Sequence, residues 1–127
     1  MKRGRSSGNK TKAQQVRLDA IKDIGCIACL ALGFGHMGCN EHHLLIGGEH
    51  GQNRRGHDFT IGLCPWHHVG EPMAGLSHSA CADRYGPSYA REPRRFRQEI
   101  GTDDYLLDLQ NTLIEQHLEK TSWRSAA

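Results

Sequence analysis

Two sets of residues in this chain have the types and spacing to do chemistry. The first is Cys26-Ile27-Ala28-Cys29 together with Cys64-Pro65-Trp66-His67. Ligands two residues apart in a tight turn present both side chains to one ion. Two such pairs, about 35 residues apart, suit a tetrahedral zinc of the Cys3His type. Thiolates prefer zinc to magnesium, so this site reads as structural and closed. Of the five cysteines, Cys39 and Cys81 are left over and read as buried or free thiols.

The second set is rich in histidine: His42-His43, His57-Asp58, His68 and His78. Adjacent residues on a strand point to opposite faces, so of His42 and His43 one suits a metal and the other a proton. A neutral imidazole is a competent base near pH 7. A carbonyl, a carboxamide or Asp58 can hold its second nitrogen and set the tautomer. A divalent metal beside it would stabilise the charge that develops on a phosphate and its leaving oxygen.

These residues need elements to hold them. Phe59, Ile61 and Leu63 alternate with Thr60 and Gly62, the pattern of a half-buried strand. Residues 38–43 can form its partner, a Gly-rich basic loop joins the two, and Pro65 suits the first turn of a helix. The stretch from His36 to His68 therefore reads as strand, loop, strand, helix, with histidines at the end of the first strand and the start of the helix. Upstream, the pattern predicts a helix from about Ala13, with Val16, Ala20, Ile21 and Ile24 on one face and Gly25 as its stop. Residues 70–88 carry no clear period and read as loop with short turns. Arg91 to Ile100 is a basic helical piece with Pro93 near its start. Thr102 or Asp103 can cap a final helix whose apolar face is Leu106, Leu109, Leu113, Ile114 and Leu118. Residues 121–127 are expected to fray.

Hydrophobic residues make up 37% of the chain and aromatic ones 6%, low for a core that stands alone. Such a chain tends to lean on a structural metal. No apolar run reaches transmembrane length, and the charged N-terminus lacks a signal-peptide core. The expectation is one soluble domain, residues 13–120, in a reducing compartment and with no membrane partner. Charge is uneven: Lys2, Arg3, Arg5, Lys10, Lys12 and Arg17 precede the first acid, Asp19, and of sixteen Lys and Arg the other ten face fourteen Asp and Glu. Residues 1–12, rich in Gly, Ser and basic residues, read as a disordered arm that binds nucleic acid. Arg54 and Arg55 lie in the loop between the strands, and Arg91, Arg94, Arg95 and Arg97 form a second cluster. Such groups neutralise phosphates without reading sequence.

Cys26-x2-Cys29, Glu41-His42-His43, His57-Asp58-Phe59-Thr60-Ile61 and Leu63-Cys64-Pro65-Trp66-His67-His68 resemble the HNH, or ββα-metal, endonucleases. More narrowly they resemble the small Ref-type, RecA-dependent recombination-enhancement nucleases of phages. Leu76-Ser77-His78 and the stretch from Phe96 to Gly101 are similar to the C-terminal part of that group. The resemblance implies an α+β fold: a small zinc-stabilised ββα-metal core with flanking helices. It implies that His43 is the general base that activates water. It implies that His42, where many HNH enzymes carry Asp, and His68 hold a catalytic Mg2+ or Mn2+. The chain departs from the family pattern twice. No Asn stands where the central Asn of the motif falls, so Asp58, His57 or the loop residue Asn53 must fill that place. Pro72 stands four residues after His68, where a further ligand belongs, and His78 is the candidate to replace it. His43 is expected to face the helix that carries His68.

The implied activity is hydrolysis of DNA phosphodiester bonds in phage recombination, in the cytoplasm of a bacterial host, with room for a RecA filament as partner. The competing reading is a zinc-stabilised nucleic-acid-binding or recombination accessory module without catalysis; a pure binder has no need of His43. Deleting residues 1–12 should leave the fold intact, weaken DNA binding and flatten its dependence on salt, read by titrating a labelled oligonucleotide at several KCl concentrations. An unchanged slope would make the arm a solubility segment.

Overall fold

The chain begins its ordered course with a reciprocal cap. Thr11 Oγ1 accepts the Gln14 backbone N–H at 3.1 Å and Gln14 Oε1 accepts the Thr11 N–H at 2.9 Å, which satisfies two of the donors that open a helix. Helix α1, Lys12–Ile24, follows and stops at Gly25. The computed structural model describes residues 10–44 and 56–126, the last five by their backbone alone. Lys2, Arg3, Arg5, Asn53, Arg54 and Arg55 lie outside the described residues. Lys10 and Lys12 are exposed, and Thr11 and Lys12 belong to the cap and first turn of α1 rather than to an arm, so a deletion meant to spare the fold must stop before Thr11.

Next come α2 (Ile27–Ala31), β1 (Asn40–His43), β2 (Thr60–Leu63) and α3 (Pro65–Val69), then α4 (His78–Tyr85), α5 (Pro93–Glu99) and α6 (Asp103–Ala126). The two strands pair antiparallel, with Asn40 opposite Leu63 and His43 opposite Thr60. This is an α+β fold with a ββα-metal core, made of β1, β2 and α3, and helices around it. No helix among the described residues is long and apolar enough to cross a membrane.

Several elements differ from the sequence reading. The second strand is buried along its whole length instead of on one face, and Phe59 lies outside it, 36% exposed. Ile61 and Leu63 enter the main core with Cys26, Ile27, Trp66, Phe96 and Leu106. Thr60 and Gly62 are covered as well, because α1 and α6 reach them with polar groups. Arg17 donates to Thr60 Oγ1 at 3.0 Å, to the Thr60 carbonyl at 2.7 Å and to Asn111 Oδ1 at 2.7 Å. Gln110 Oε1 accepts the Gly62 N–H at 2.9 Å. A polar residue in a strand thus marks a buried hydrogen bond here, not a wet face.

On α1 the buried residues are Leu18, Ala20 and Ile21, while Val16 is exposed. The helix turns its apolar stripe toward Ile114 of α6. The stretch expected as loop contains α4. Ser77 Oγ accepts the Ala80 N–H at 3.1 Å to start it, and only Cys81 and Tyr85 are buried, too few to show a period. The tail expected to fray is helical through Ala126. Thr102, one of the two expected caps, accepts the Tyr105 N–H at 3.1 Å.

At Gly62 the strand β2 lies close against α1. A Cβ there would stand 2.7 Å from Cys39 Sγ, 2.8 Å from Ile21 Cγ2 and 3.0 Å from the Gly25 carbonyl. Gly62→Ala should therefore lower stability by about 1–3 kcal/mol through overpacking, seen as a lower urea midpoint. An unchanged midpoint would mean that α1 can move off the sheet without loss.

Candidate functional site

The metal cluster is built from one local device used twice. Cys26 is the N-cap of α2 and its Sγ accepts the Cys29 N–H at 3.4 Å; Cys64 is the N-cap of α3 and its Sγ accepts the His67 N–H at 3.4 Å. Each short helix thereby carries one ligand at its cap and the next at its third residue, on the same side. A helix N-terminus favours negative charge, which suits a thiolate.

The two devices converge. His67 Nδ1 lies 3.6 Å from Cys26 Sγ, 3.4 Å from Cys29 Sγ and 3.3 Å from Cys64 Sγ, and the Cys29 and Cys64 sulfurs are 3.9 Å apart. All four ligand atoms fall within 4.8 Å of one another and all four residues are buried. A tetrahedron with Zn–S of about 2.3 Å and Zn–N of about 2.0 Å has edges of roughly 3.5–3.8 Å. The donor set and its spacing therefore fit zinc. The tautomer fits too. His67 Nε2 sits 2.9 Å from the Tyr85 carbonyl, which can only accept. So the proton belongs on Nε2 and the lone pair on Nδ1 points at the sulfurs.

Electrostatics agree with a cation at the centre. Contact with the Cys29 thiol, then with Cys64, pulls the Cys26 thiol down to about 3, and the same contact with Cys26 pushes Cys29 up. Three sulfurs around one point cannot all carry charge unless a cation lies among them.

The histidines beside this cluster form two pairs. His42 Nδ1 lies 3.2 Å from His68 Nε2, and His43 Nε2 lies 3.0 Å from His57 Nδ1. The helix that carries His68 is thus faced by His42, not by His43 as expected; consecutive residues at the end of β1 turn to different partners. Burial holds the His68 ring below its ordinary range, with the Cys64 sulfur acting the other way. The neutral ring this favours is the ligating form. His57 is buried, and its carbonyl accepts the Thr60 hydroxyl at 2.9 Å, so the turn that presents it is fastened to β2.

Asp58 does not reach His43. It is exposed and accepts from Gln14 Nε2 at 3.2 Å. His78 opens α4, exposed, with its ring edge-on to Trp66 at 5.0 Å between centroids. Among the described residues the Cys3His set is the one group of three or more His, Cys, Asp or Glu placed to hold a metal. The structure therefore does not bring His78 into a cluster with His42 and His68. Arg94 is exposed on α5. Arg95 is gripped by Glu92 at 2.7 Å and Glu99 at 2.8 Å, so two carboxylates already neutralise it.

Sequence reasoning missed Tyr89. Its ring lies 4.6 Å from that of His42 and 5.3 Å from that of Phe96. Its hydroxyl donates to the Asp103 carboxylate at 3.1 Å, and Arg97 lies 5.5 Å above the ring. Burial, then the Asp103 charge, pushes its hydroxyl above the ordinary range, so it stays a donor. Tyr89 backs the His42 ring against α5 and the start of α6. A lone aromatic after a Gly-Pro pair gave no periodic signal to find it by.

A family model described as recombination enhancement, RecA-dependent nuclease matches residues 10–115. No curated protein matches the chain. The purified protein should hold one tightly bound zinc per chain by elemental analysis. Cys26→Ala should lose the zinc and much of the fold, since metal binding and folding are coupled in small domains. A well-folded protein without zinc would refute the assignment.

Proposed function

Because the chain belongs to the recombination-enhancement, RecA-dependent nuclease family, we propose that it is a metal-dependent DNA endonuclease of the ββα-metal (HNH) type that acts together with a RecA filament. The observation that carries this is the pair of histidine couples at the end of β1, His42 with His68 and His43 with His57. A module that only binds DNA has no use for two facing imidazole pairs beside a closed structural site.

His43 is the general base. Donating its Nε2–H to His57 Nδ1 places the basic lone pair of His43 on Nδ1, where it takes the proton of the attacking water. His57 fills the place that Asn holds in the family motif: it orients the base. His42 and His68 are the ligands for the second metal. Their nitrogens face each other at 3.2 Å, a separation two imidazoles can keep around one cation of about 2.0–2.1 Å bond length. Two nitrogen donors suit Mg2+ poorly, since it asks for oxygen. Of the two ions expected from the sequence, Mn2+ accepts nitrogen more readily. When bound there, the ion supplies positive charge to the scissile phosphate and the leaving oxygen. Tyr89 keeps the His42 ring in place. The Cys3His zinc holds α3, and with it His68, against the sheet. Arg54 and Arg55, together with the basic residues before α1, are the proposed contacts to the DNA backbone. The work belongs in the cytoplasm of a bacterial host, where RecA filaments form; a phage origin rests on the Ref-type resemblance alone.

His43→Ala should lower DNA cleavage by ~10²–10⁴, the usual loss for a general base, while zinc content and DNA binding persist. His42→Ala and His68→Ala should instead raise the metal concentration needed, so that added Mn2+ restores part of their activity and none of that of His43→Ala. The assay runs on bare DNA and on a RecA filament with ATP. Parent-like cutting by His43→Ala under both conditions would remove it as the base.

A further inference from the structure

The carbonyls that end a helix need donors, and α3 finds them in an unusual place. Gly70 N–H bonds the Trp66 carbonyl at 2.8 Å and Glu71 N–H bonds that of Pro65 at 3.2 Å, which closes the helix within its own turn. The next two carbonyls are those of His67 and His68. They accept from Tyr89 N at 2.8 Å and Ala90 N at 3.1 Å. The segment before α5 is thus pinned by its backbone to the two histidines of the metal helix. Ser88 Oγ then accepts the Arg91 N–H at 3.2 Å.

That pinning decides where Arg91 goes. Gly70 is left-handed at φ 76, the cap that ends α3, and the space beyond its Cα is filled by the Arg91 side chain, from Cγ to Nε. The Arg91 stem therefore lies along the end of α3, two residues from His68, while Tyr89 on the same segment packs on His42. Arg91 is exposed, and among the described residues no carboxylate lies within ion-pair distance of it. Arg94 is likewise exposed, but among the described residues its stem has no such backing, and the other two arginines of the cluster are engaged. Arg95 is held by Glu92 and Glu99, and Arg97 lies over Tyr89 and near Asp103.

From this placement we infer that Arg91 is the residue that holds a DNA phosphate beside the His42–His68 pair. The inference rests on the nuclease reading above and adds a substrate-binding residue to it. A guanidinium whose stem is clamped against backbone loses little freedom on binding, and its planar fork can take two phosphate oxygens at once. Substitution at Gly70 would disturb it, because any side chain there competes for the volume of the Arg91 stem.

The test compares Arg91→Ala, Arg91→Lys and Lys120→Ala, the last an exposed charge on α6. Binding of a labelled oligonucleotide is titrated against KCl with no divalent metal added, and single-turnover cleavage is measured on a RecA filament with Mn2+. Arg91→Ala should lower the slope of log affinity against log salt by about one. It should slow cleavage at least about tenfold, as a misplaced phosphate does. Arg91→Lys should keep the slope and lose part of the rate, and Lys120→Ala should change neither. An Arg91→Ala protein that matches Lys120→Ala in both would overturn the assignment. So would a lower slope with an unchanged rate, which would place the phosphate away from the histidines. If the parent itself does not cut, the nuclease reading falls, and the slope alone decides whether Arg91 binds phosphate.

Discussion

One imidazole ring holds the two halves of this molecule together. His67 turns Nδ1 to the three sulfurs and Nε2 to the Tyr85 carbonyl. The first contact joins α3 to α2 through the metal ligands. The second joins α3 to the end of α4. A ring nitrogen can be proton donor or metal ligand but not both, so the Tyr85 carbonyl, by requiring a proton on Nε2, fixes Nδ1 as the ligand. The ring is wholly buried and could not stay so without partners on both nitrogens. Without a cation the three thiols compete for charge, and the fold would lose its centre in a chain with little apolar surface to spare.

From that anchor the candidate site follows by adjacency. His68 is the next residue, and its position is inherited from the fixed ring beside it. The carbonyls of both residues hold the segment with Tyr89 and Arg91. Tyr89 in turn presses on His42, and Asp103 at the start of α6 holds the Tyr89 hydroxyl. The Cys3His cluster, the histidine helix and the ring wall are therefore one connected set, joined by hydrogen bonds of 2.8–3.1 Å and by the 4.6 Å ring contact on His42. A disturbance at His67 reaches His68 through one peptide bond. The His43–His57 couple is fastened separately, through Thr60 and Arg17 to α1 and α6. The two histidine couples thus have different supports within one ββα unit.

Much of this was legible in the chain because ligand spacing is a local property. Cys26-x2-Cys29 and Cys64-x2-His67 each describe one turn of backbone, and each proved to be a capped helical turn. The ββα order was legible for the same reason: a strand of apolar residues followed by Cys-Pro signals its own end. What the sequence could not show was which side of each element meets which neighbour. Thr60 and Gly62 looked like solvent positions because nothing local announces Arg17, more than forty residues away, as the partner of Thr60. Val16 looked inward for the converse reason: α1 rolls so that Leu18 and Ile21 meet α6. Short α4 was hidden because two buried residues make no period. That His57 rather than Asp58 meets His43 was not legible, since it depends on the strand register that sets Thr60 opposite His43.

The consecutive pair His42-His43 shows how one strand can serve two contacts. Inside a ladder, neighbouring side chains are held on opposite faces. The Leu44 N–H bonds the Phe59 carbonyl at 2.9 Å, so the ladder runs one residue past His43 and holds its backbone on both sides. His42 is held from the front by His68 and from behind by Tyr89, so its freedom is low. His43, one residue on, meets the His57 ring at 3.0 Å, and His57 is carried on a turn closed by the Phe59 N–H to the Gly56 carbonyl at 3.1 Å. One short strand thus sends consecutive side chains to two different elements: His42 to the helix that carries His68, and His43 to the turn that carries His57.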